Sequence, residues 1–108
     1  MSLNELEIHP DELKTRLDSG ESLLLLDVRN PWEHETARIE GSTLIPLQAL
    51  QSRLDELDPD SEIIAYCHTG KRSLIAAQFM SQAGFKAVSL HGGIDLWAVQ
   101  IDTSVSRY

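Results

Sequence analysis

The chain has 108 residues, a length that suits one compact domain able to bury roughly two thirds of the surface its unfolded form exposes. Seventeen acidic residues against nine basic ones give a formal net charge of −8, which disfavours nucleic acids and anionic membrane surfaces as partners. The longest aliphatic run, residues 23–26, is far shorter than the ~20 residues that a membrane-spanning helix needs.

No stretch rich in proline, glycine or serine is long enough to act as a linker, so we predict a single domain covering residues 5–108. Residues 1–4 are interpreted as an N-terminal extension, part of which we expect to be left over from cloning. The single cysteine cannot form a disulfide within the chain, and we therefore expect a cytoplasmic protein.

Short apolar runs alternate along the chain with segments of helical periodicity. A strand in "LEIH" leads to a helix that begins at Pro10 and ends at Gly20. The wholly apolar "SLLLLDV" is typical of a strand covered on both faces of a parallel sheet. Asn30, Pro31 and Glu33 then fit the N-cap, first and third positions of a second helix.

The second half of the chain continues the same alternation. The strand "STLIPL" precedes leucines at helical spacing from Leu47 to Leu57, and the strand "EIIAY" precedes the helix "SLIAAQFMSQAG". A fifth strand, "AVSL", leads through "HGG" to a last helix starting in "IDLWAV". This order predicts an α/β fold of three layers, with a central, mainly parallel, five-stranded sheet flanked by helices.

The only cysteine, Cys67, lies in the most basic part of this acidic chain. No carboxylate occurs between Glu62 and Asp95, while Lys71 and Arg72 follow the cysteine closely. Cys67 also comes directly after the predicted strand "EIIAY", and ligands of parallel α/β sheets bind at the carboxyl ends of the strands. The sequence therefore places the thiol at the expected ligand site of this architecture.

The loop after Cys67 has the features that a reactive thiolate requires. Gly70 permits backbone angles that let successive N–H groups turn towards an anion. On a helical projection Arg72 falls on the inward face with Phe79, Met80 and Ala83, whereas Lys71 falls on the solvated face. We therefore predict that Arg72 points towards the thiol and Lys71 lies at the rim, the alternative being that Cys67 is an inert core residue.

Four motifs, in this order along the chain, resemble those of rhodanese domains, and the resemblance runs from about Glu5 to the end of the sequence. They are an Asp-x-Arg after an apolar strand (Asp27, Arg29), a Glu followed by Ile-x-Gly (Glu33, Ile39, Gly41), a Cys-x-x-Gly-x-Arg-Ser loop (Cys67 to Ser73), and a Gly-Gly with a downstream Trp (Gly92, Gly93, Trp97). The resemblance implies a rhodanese-like fold.

It also implies a sulfurtransferase in which Cys67 is the catalytic nucleophile. The thiolate would take the sulfane sulfur of thiosulfate or of a persulfide, become a persulfide itself, and pass the sulfur to cyanide or a thiol. The acceptor must come from outside because the chain has no second cysteine. The substrate-binding residues would be those of the loop: His68, Thr69, Gly70, Lys71, Arg72 and Ser73.

We assign Asp27 and Arg29 a supporting role, since an Asp-x-Arg behind a strand more often satisfies local charge and backbone than it binds substrate. We expect no cofactor and no metal, because the histidines are scattered and one cysteine offers no zinc-type ligand pair.

Two segments, "IDTSVSRY" and residues 29–47, resemble rhodanese domains joined to adenylating enzymes. That resemblance suggests a sulfur-carrier protein or an adenylating enzyme as a partner.

Two other functions compete with this interpretation. A non-catalytic or sulfur-relay interaction domain is one, although non-catalytic rhodanese-like domains usually lack the cysteine that is present here. A phosphatase or arsenate reductase is the other. Tyrosine-phosphatase-like loops place five residues between the cysteine and the arginine, whereas four residues separate Cys67 from Arg72, which indicates a smaller anion pocket.

Overall fold

The computed structural model describes residues 3–108, so the first two residues of the predicted N-terminal extension lie outside the described residues. The strands are β1 (Glu7–Ile8), β2 (Leu23–Asp27), β3 (Thr43–Leu44), β4 (Glu62–Tyr66) and β5 (Lys86–Leu90). The α-helices are α1 (Pro10–Asp18), α2 (Pro31–Thr36), α3 (Leu47–Leu50), α4 (Lys71–Gln82) and α5 (Gly93–Gln100), and 3₁₀ helices cover Leu3–Leu6 and Gln51–Glu56. The helices within residues 3–108 are all too short or too polar to span a lipid bilayer.

The five strands form one sheet in the order β1-β5-β4-β2-β3, and each neighbouring pair is parallel. The predicted α/β fold with a five-stranded parallel sheet is therefore confirmed. Strands β2 and β4 are central neighbours, with Asp27 opposite Tyr66 at their carboxyl ends. The segments that follow these two strands therefore lie side by side, one beginning at Val28 and the other at Cys67.

Both faces of the sheet are covered, which explains why the strand sequences are apolar throughout. Along β4, Ile63 and Ala65 pack on the side of α3 and α4, while Ile64 and Tyr66 pack on the opposite side with Trp97 of α5. Side chains of a strand alternate between faces, so a strand buried on both sides needs an apolar residue at each position. The sheet is the middle of three layers.

The leucine-rich segment after β3 differs from the prediction. A single helix from Leu47 to Leu57 was expected, but the chain forms α3 and then tightens into a 3₁₀ helix over Gln51–Glu56. Leucines spaced three and four residues apart fit both windings, because a 3₁₀ turn takes three residues and an α-turn 3.6. Periodicity alone could not distinguish the two.

The buried face of α4 is also rotated from the predicted one. Its buried residues are Ser73, Ala76, Ala77 and Met80, while Ala83, which was assigned to the inward face, is exposed. Small residues at these positions let the helix lie close to the sheet, whereas the projection gave more weight to larger apolar side chains. Arg72 consequently lies beside the buried face of α4 and not within it.

The turn between β5 and α5 packs directly against the loop after β4. Gly93 has a φ of +62°, and a Cβ placed on it would come within 2.4 Å of the carbonyl oxygen of His68. Just beyond this turn, the N–H groups of Ile94 and Asp95 donate to the carbonyl oxygens of Cys67 and His68, at 2.9 and 3.0 Å. These two hydrogen bonds thus fix the backbone of the loop at Cys67 and His68.

Replacing Gly93 with alanine should destabilise the fold by several kcal/mol, roughly 3 or more, because the new Cβ adds a backbone clash to the strain of a positive φ. Gly20→Ala is the matched control, since Gly20 has a φ of +79° with no atom within 4 Å of its Cβ position. That variant should lose only about 1 kcal/mol. Denaturant unfolding measures both, and equal losses would contradict the packing described here.

Candidate functional site

Cys67 lies at the carboxyl end of β4, on the side of the sheet covered by α4. The residue is only 1% exposed, and its Sγ accepts a hydrogen bond from the N–H of Gly70 at 3.1 Å and from the N–H of Ser73 at 3.4 Å. Gly70 adopts a φ of +104°, a region open to glycine, and this angle turns the loop back over the sulfur. Two backbone donors of the loop thus converge on Sγ.

Two buried serines lie behind the sulfur. The Ser73 hydroxyl is 3.4 Å from Sγ of Cys67 and 2.7 Å from the hydroxyl of Ser89 on β5. Both serines are fully buried, so their hydroxyls satisfy one another and the thiol within the core. Ser73 was predicted to bind substrate, and the structure places it in contact with the sulfur from the buried side.

Arg72, at the start of α4, is held by a carboxylate from a distant part of the chain. Its Nη1 and Nη2 donate to Oε1 and Oε2 of Glu33 on α2, at 2.7 and 2.9 Å. These hydrogen bonds hold the pKa of Glu33 at about 2 and raise that of Arg72 further. Glu33 also accepts the N–H of Asn30 at 3.1 Å, so it closes the predicted start of α2 as well.

Asp27 and Arg29 form a second, fully buried ion pair beside the first. The carboxylate of Asp27 accepts from the backbone N–H, Nε and Nη2 of Arg29, and from Nδ1 of His34 at 2.8 Å. Burial opposes ionisation of Asp27, but the hydrogen bonds from Arg29 and His34 outweigh it, and its pKa lies below the usual value. Tyr66 adds its hydroxyl to the same carboxylate at 3.2 Å.

Tyr108 connects the two ion pairs. Its hydroxyl accepts from Nη1 of Arg29 and donates to Oε2 of Glu33, both at 2.7 Å. Burial and the Glu33 carboxylate raise the pKa of Tyr108 to about 12, so the hydroxyl remains a donor at physiological pH. The Tyr108 ring also stacks on His68 with 4.3 Å between centroids, which brings the end of the chain against the cysteine loop.

The structure brings most of the predicted site residues together, in three environments. Gly70 and Ser73 contact the sulfur of Cys67, whereas Thr69 and Lys71 are exposed at the rim. His68 is half-buried under Tyr108, and Asp27 and Arg29 are connected to the loop by hydrogen bonds through Tyr108 and Glu33.

Ser89, Glu33 and Tyr108 were not predicted as site residues. Glu33 lies 39 positions before its partner Arg72. The sequence had marked it by its position at the start of α2 and by its place in the second rhodanese-like motif, but not as the partner of Arg72.

The site has no arrangement suited to a metal. Within residues 3–108, the histidine, cysteine, aspartate and glutamate side chains form no cluster of three able to ligate an ion.

Comparison with known proteins adds a family to this geometry. The family described as "Rhodanese-like domain" matches residues 9–100. The chain is 42% identical over 104 residues to "Probable adenylyltransferase/sulfurtransferase MoeZ" of Mycobacterium tuberculosis, covering 94% of this chain but only 26% of that protein. It is 33% identical to a protein named "Sulfurtransferase" from Allochromatium vinosum, covering 85% of this chain and 87% of that one.

Solved structures agree on the fold. The rhodanese-related protein from Thermoplasma volcanium superposes with a TM-score of 0.82 at 30% identity, over 88% of this chain and 92% of that one. A rhodanese-like domain protein from Staphylococcus aureus gives a TM-score of 0.82 at 25% identity, over 94% and 97%. The structural similarity therefore extends over about nine tenths of this chain, 88% and 94%.

The low pKa of Glu33 predicts an acid-dependent part of the stability. The folded pKa of about 2 lies below the ordinary value of 4.5, so the stabilisation is present above that value and is lost as the pH falls towards 2. Between about pH 6 and about pH 3 the wild-type protein should lose about 2 kcal/mol more than Glu33→Gln, measured by urea unfolding.

Glu56→Gln is the control for this experiment, since Glu56 also pairs with an arginine, Arg53, but on the exposed surface. It should follow the wild-type pH dependence. If Glu33→Gln does so too, the ion pair does not stabilise the folded state.

Proposed function

This chain belongs to the rhodanese-like domain family, and from that membership we propose that it transfers sulfane sulfur through a persulfide on Cys67. Relatives named as sulfurtransferases support a role in sulfur transfer or sulfur relay. The donor in this proposal is thiosulfate or a persulfide, and the acceptor is cyanide or an external thiol. We expect the reaction to occur in the cytoplasm, where a lone thiol stays reduced.

One observation carries the proposal: the sulfur of Cys67 receives two backbone N–H groups at the mouth of a central strand. Only the thiolate is nucleophilic, and donors aimed at the sulfur stabilise it in that form. In the first step the thiolate attacks the outer sulfur of thiosulfate. The S–S bond of the donor breaks, sulfite leaves with the electron pair, and Cys67 becomes a persulfide.

The second step returns the enzyme to its starting state. Cyanide or a thiolate attacks the outer sulfur of the persulfide, and the electron pair of the broken S–S bond returns to Cys67 as thiolate. With cyanide the product is thiocyanate. The 108 residues contain one cysteine, so no second thiol of this sequence can take the sulfur.

The remaining loop residues have separate roles in this proposal. The first N–H groups of α4 have no acceptor within the helix, so they are available to the outer sulfur or to the oxyanion of the donor. Lys71, exposed at the rim, attracts anionic donors, and the hydroxyl of Thr69 adds a hydrogen bond. Gly70 and Ser73 hold the cysteine sulfur, His68 lines the loop under Tyr108, and Arg72 contributes positive charge within the limits set by Glu33.

The partner in this proposal is a sulfur-carrier protein or an adenylating enzyme. The name of MoeZ combines an adenylyltransferase with a sulfurtransferase, and this chain spans about a quarter of it, 26%. It spans 87% of the Allochromatium vinosum sulfurtransferase. A domain of this size could deliver its persulfide sulfur to a carrier activated elsewhere.

Incubating the protein with thiosulfate should add the mass of one sulfur atom, and subsequent cyanide should remove it. Cys67→Ala should gain no sulfur and form no thiocyanate, because the atom that carries the sulfur is missing. Intact-protein mass spectrometry and thiocyanate detection measure the two results, and circular dichroism checks that the variant is folded. Equal activity in Cys67→Ala would end the proposal.

Arg72→Ala should lower kcat/KM for thiosulfate on the order of 100-fold, and Lys71→Ala by less than about tenfold. Removing Arg72 leaves the buried carboxylate of Glu33 unpaired beside the thiolate, where it repels an anionic donor. Removing Lys71 takes away an exposed, screened charge. The readout is the initial rate of thiocyanate formation, and comparable losses in the two variants would refute the distinction.

A further inference from the structure

The cations around Cys67 are less available than their number suggests. Both terminal nitrogens of Arg72 donate hydrogen bonds to Glu33, and Nε and Nη2 of Arg29 donate to Asp27. Each guanidinium therefore has a carboxylate as its immediate neighbour. An incoming anion meets two nearly neutral pairs instead of two free positive charges.

The Glu33 carboxylate is fixed firmly enough to keep Arg72 occupied. Glu33 is only 3% exposed, and it accepts four hydrogen bonds: two from Arg72, one from the N–H of Asn30 and one from the hydroxyl of Tyr108. For a sulfur donor to bind Arg72, both hydrogen bonds between Arg72 and Glu33 would have to break. The buried Glu33 carboxylate could not replace them with hydrogen bonds to water. The pair is partly buried, and such a bidentate, charge-assisted contact is among the stronger contacts in a protein.

Lys71 is left as the loop cation that can meet a donor. Among the ion pairs of residues 3–108 none includes Lys71, and its side chain is exposed. Of the other nearby charges, Asp95 is paired with Arg107. Apart from the Cys67 thiolate, the loop thus presents an incoming anion with about one unit of uncompensated positive charge, in a protein whose formal net charge is −8.

We propose that Glu33 is a specificity-determining residue: by holding Arg72 it makes the site favour sulfane-sulfur donors with a single negative charge, thiosulfonates and persulfides, over the dianion thiosulfate. This inference rests on the proposed function. Attack by the Cys67 thiolate on the outer sulfur of a thiosulfonate breaks the S–S bond, and the sulfinate leaves with the electron pair. The persulfide anion stays on Cys67, so of the two negative charges of the reactants one leaves with the sulfinate and one stays on the persulfide.

The electrostatic free energy of binding scales with the charge of the donor, so an extra positive charge helps a dianion twice as much as a monoanion. Glu33→Gln supplies that charge, because its amide oxygen can still accept from Arg72 while the negative charge is gone. A tenfold gain for thiosulfate then corresponds to about a threefold gain for a monoanion at the same position.

Methanethiosulfonate and thiosulfate are the matched donors for the test, since they differ by a methyl group in place of one charged oxygen. In Glu33→Gln, kcat/KM should rise about tenfold for thiosulfate, mostly through KM, and about threefold for methanethiosulfonate. Glu33→Asp, which keeps the charge, should retain the wild-type ratio of the two donors. Glu56→Gln, the same charge change at an exposed surface pair, should retain it as well.

An equal change for the two donors in Glu33→Gln, or a loss for thiosulfate, overturns the inference. A test that does not depend on this variant uses the wild-type protein. Its preference for methanethiosulfonate over thiosulfate should exceed the preference found in the uncatalysed reaction of the same donors with cyanide, and a smaller preference also overturns it. If neither donor leaves a sulfur on Cys67 by intact mass, the proposed function itself fails, and the inference fails with it.

Discussion

The two-point contact between Arg72 and Glu33 is the interaction on which the rest of this site depends. It joins the first turn of α4, at the end of the cysteine loop, to α2, which follows the neighbouring strand β2. The Arg72–Glu33 contact therefore sets both the charge of the loop and its position. Removing either partner would leave a charge without its counterion in a largely buried setting, which is costly in proteins.

The parallel sheet makes this contact possible. Because β2 and β4 are neighbours in register, the segments that follow them, carrying Glu33 and Cys67, emerge side by side. On the other side of β4, the turn at Gly93, which follows β5, packs against the backbone of the loop. Tyr108 then links Glu33 to the Asp27–Arg29 pair, so that the last residue of the given sequence and residues 27–33 contribute to one hydrogen-bonded network beside the cysteine loop.

The features that sequence could predict are those governed by local patterns. Apolar runs identified all five strands, and the position of Cys67 after one of them placed the thiol at the ligand end of the sheet. The partner of Arg72 was not predictable in this way, because 39 residues separate it from Glu33 and no periodicity connects them. The buried face of α4 was misjudged for a different reason: the helical projection gave more weight to large apolar side chains, whereas the small residues Ser73, Ala76 and Ala77 pack against the sheet.

A double-mutant cycle on Glu33 and Arg72 tests this account most directly. The free energies of unfolding of the wild-type protein, Glu33→Gln, Arg72→Gln and the double variant give the coupling between the two side chains. We predict a favourable coupling of about 1 to 3 kcal/mol, with the double variant less destabilised than the sum of the single ones. Additive losses, with a coupling near zero, would show that the loop is held without this pair and would contradict the account.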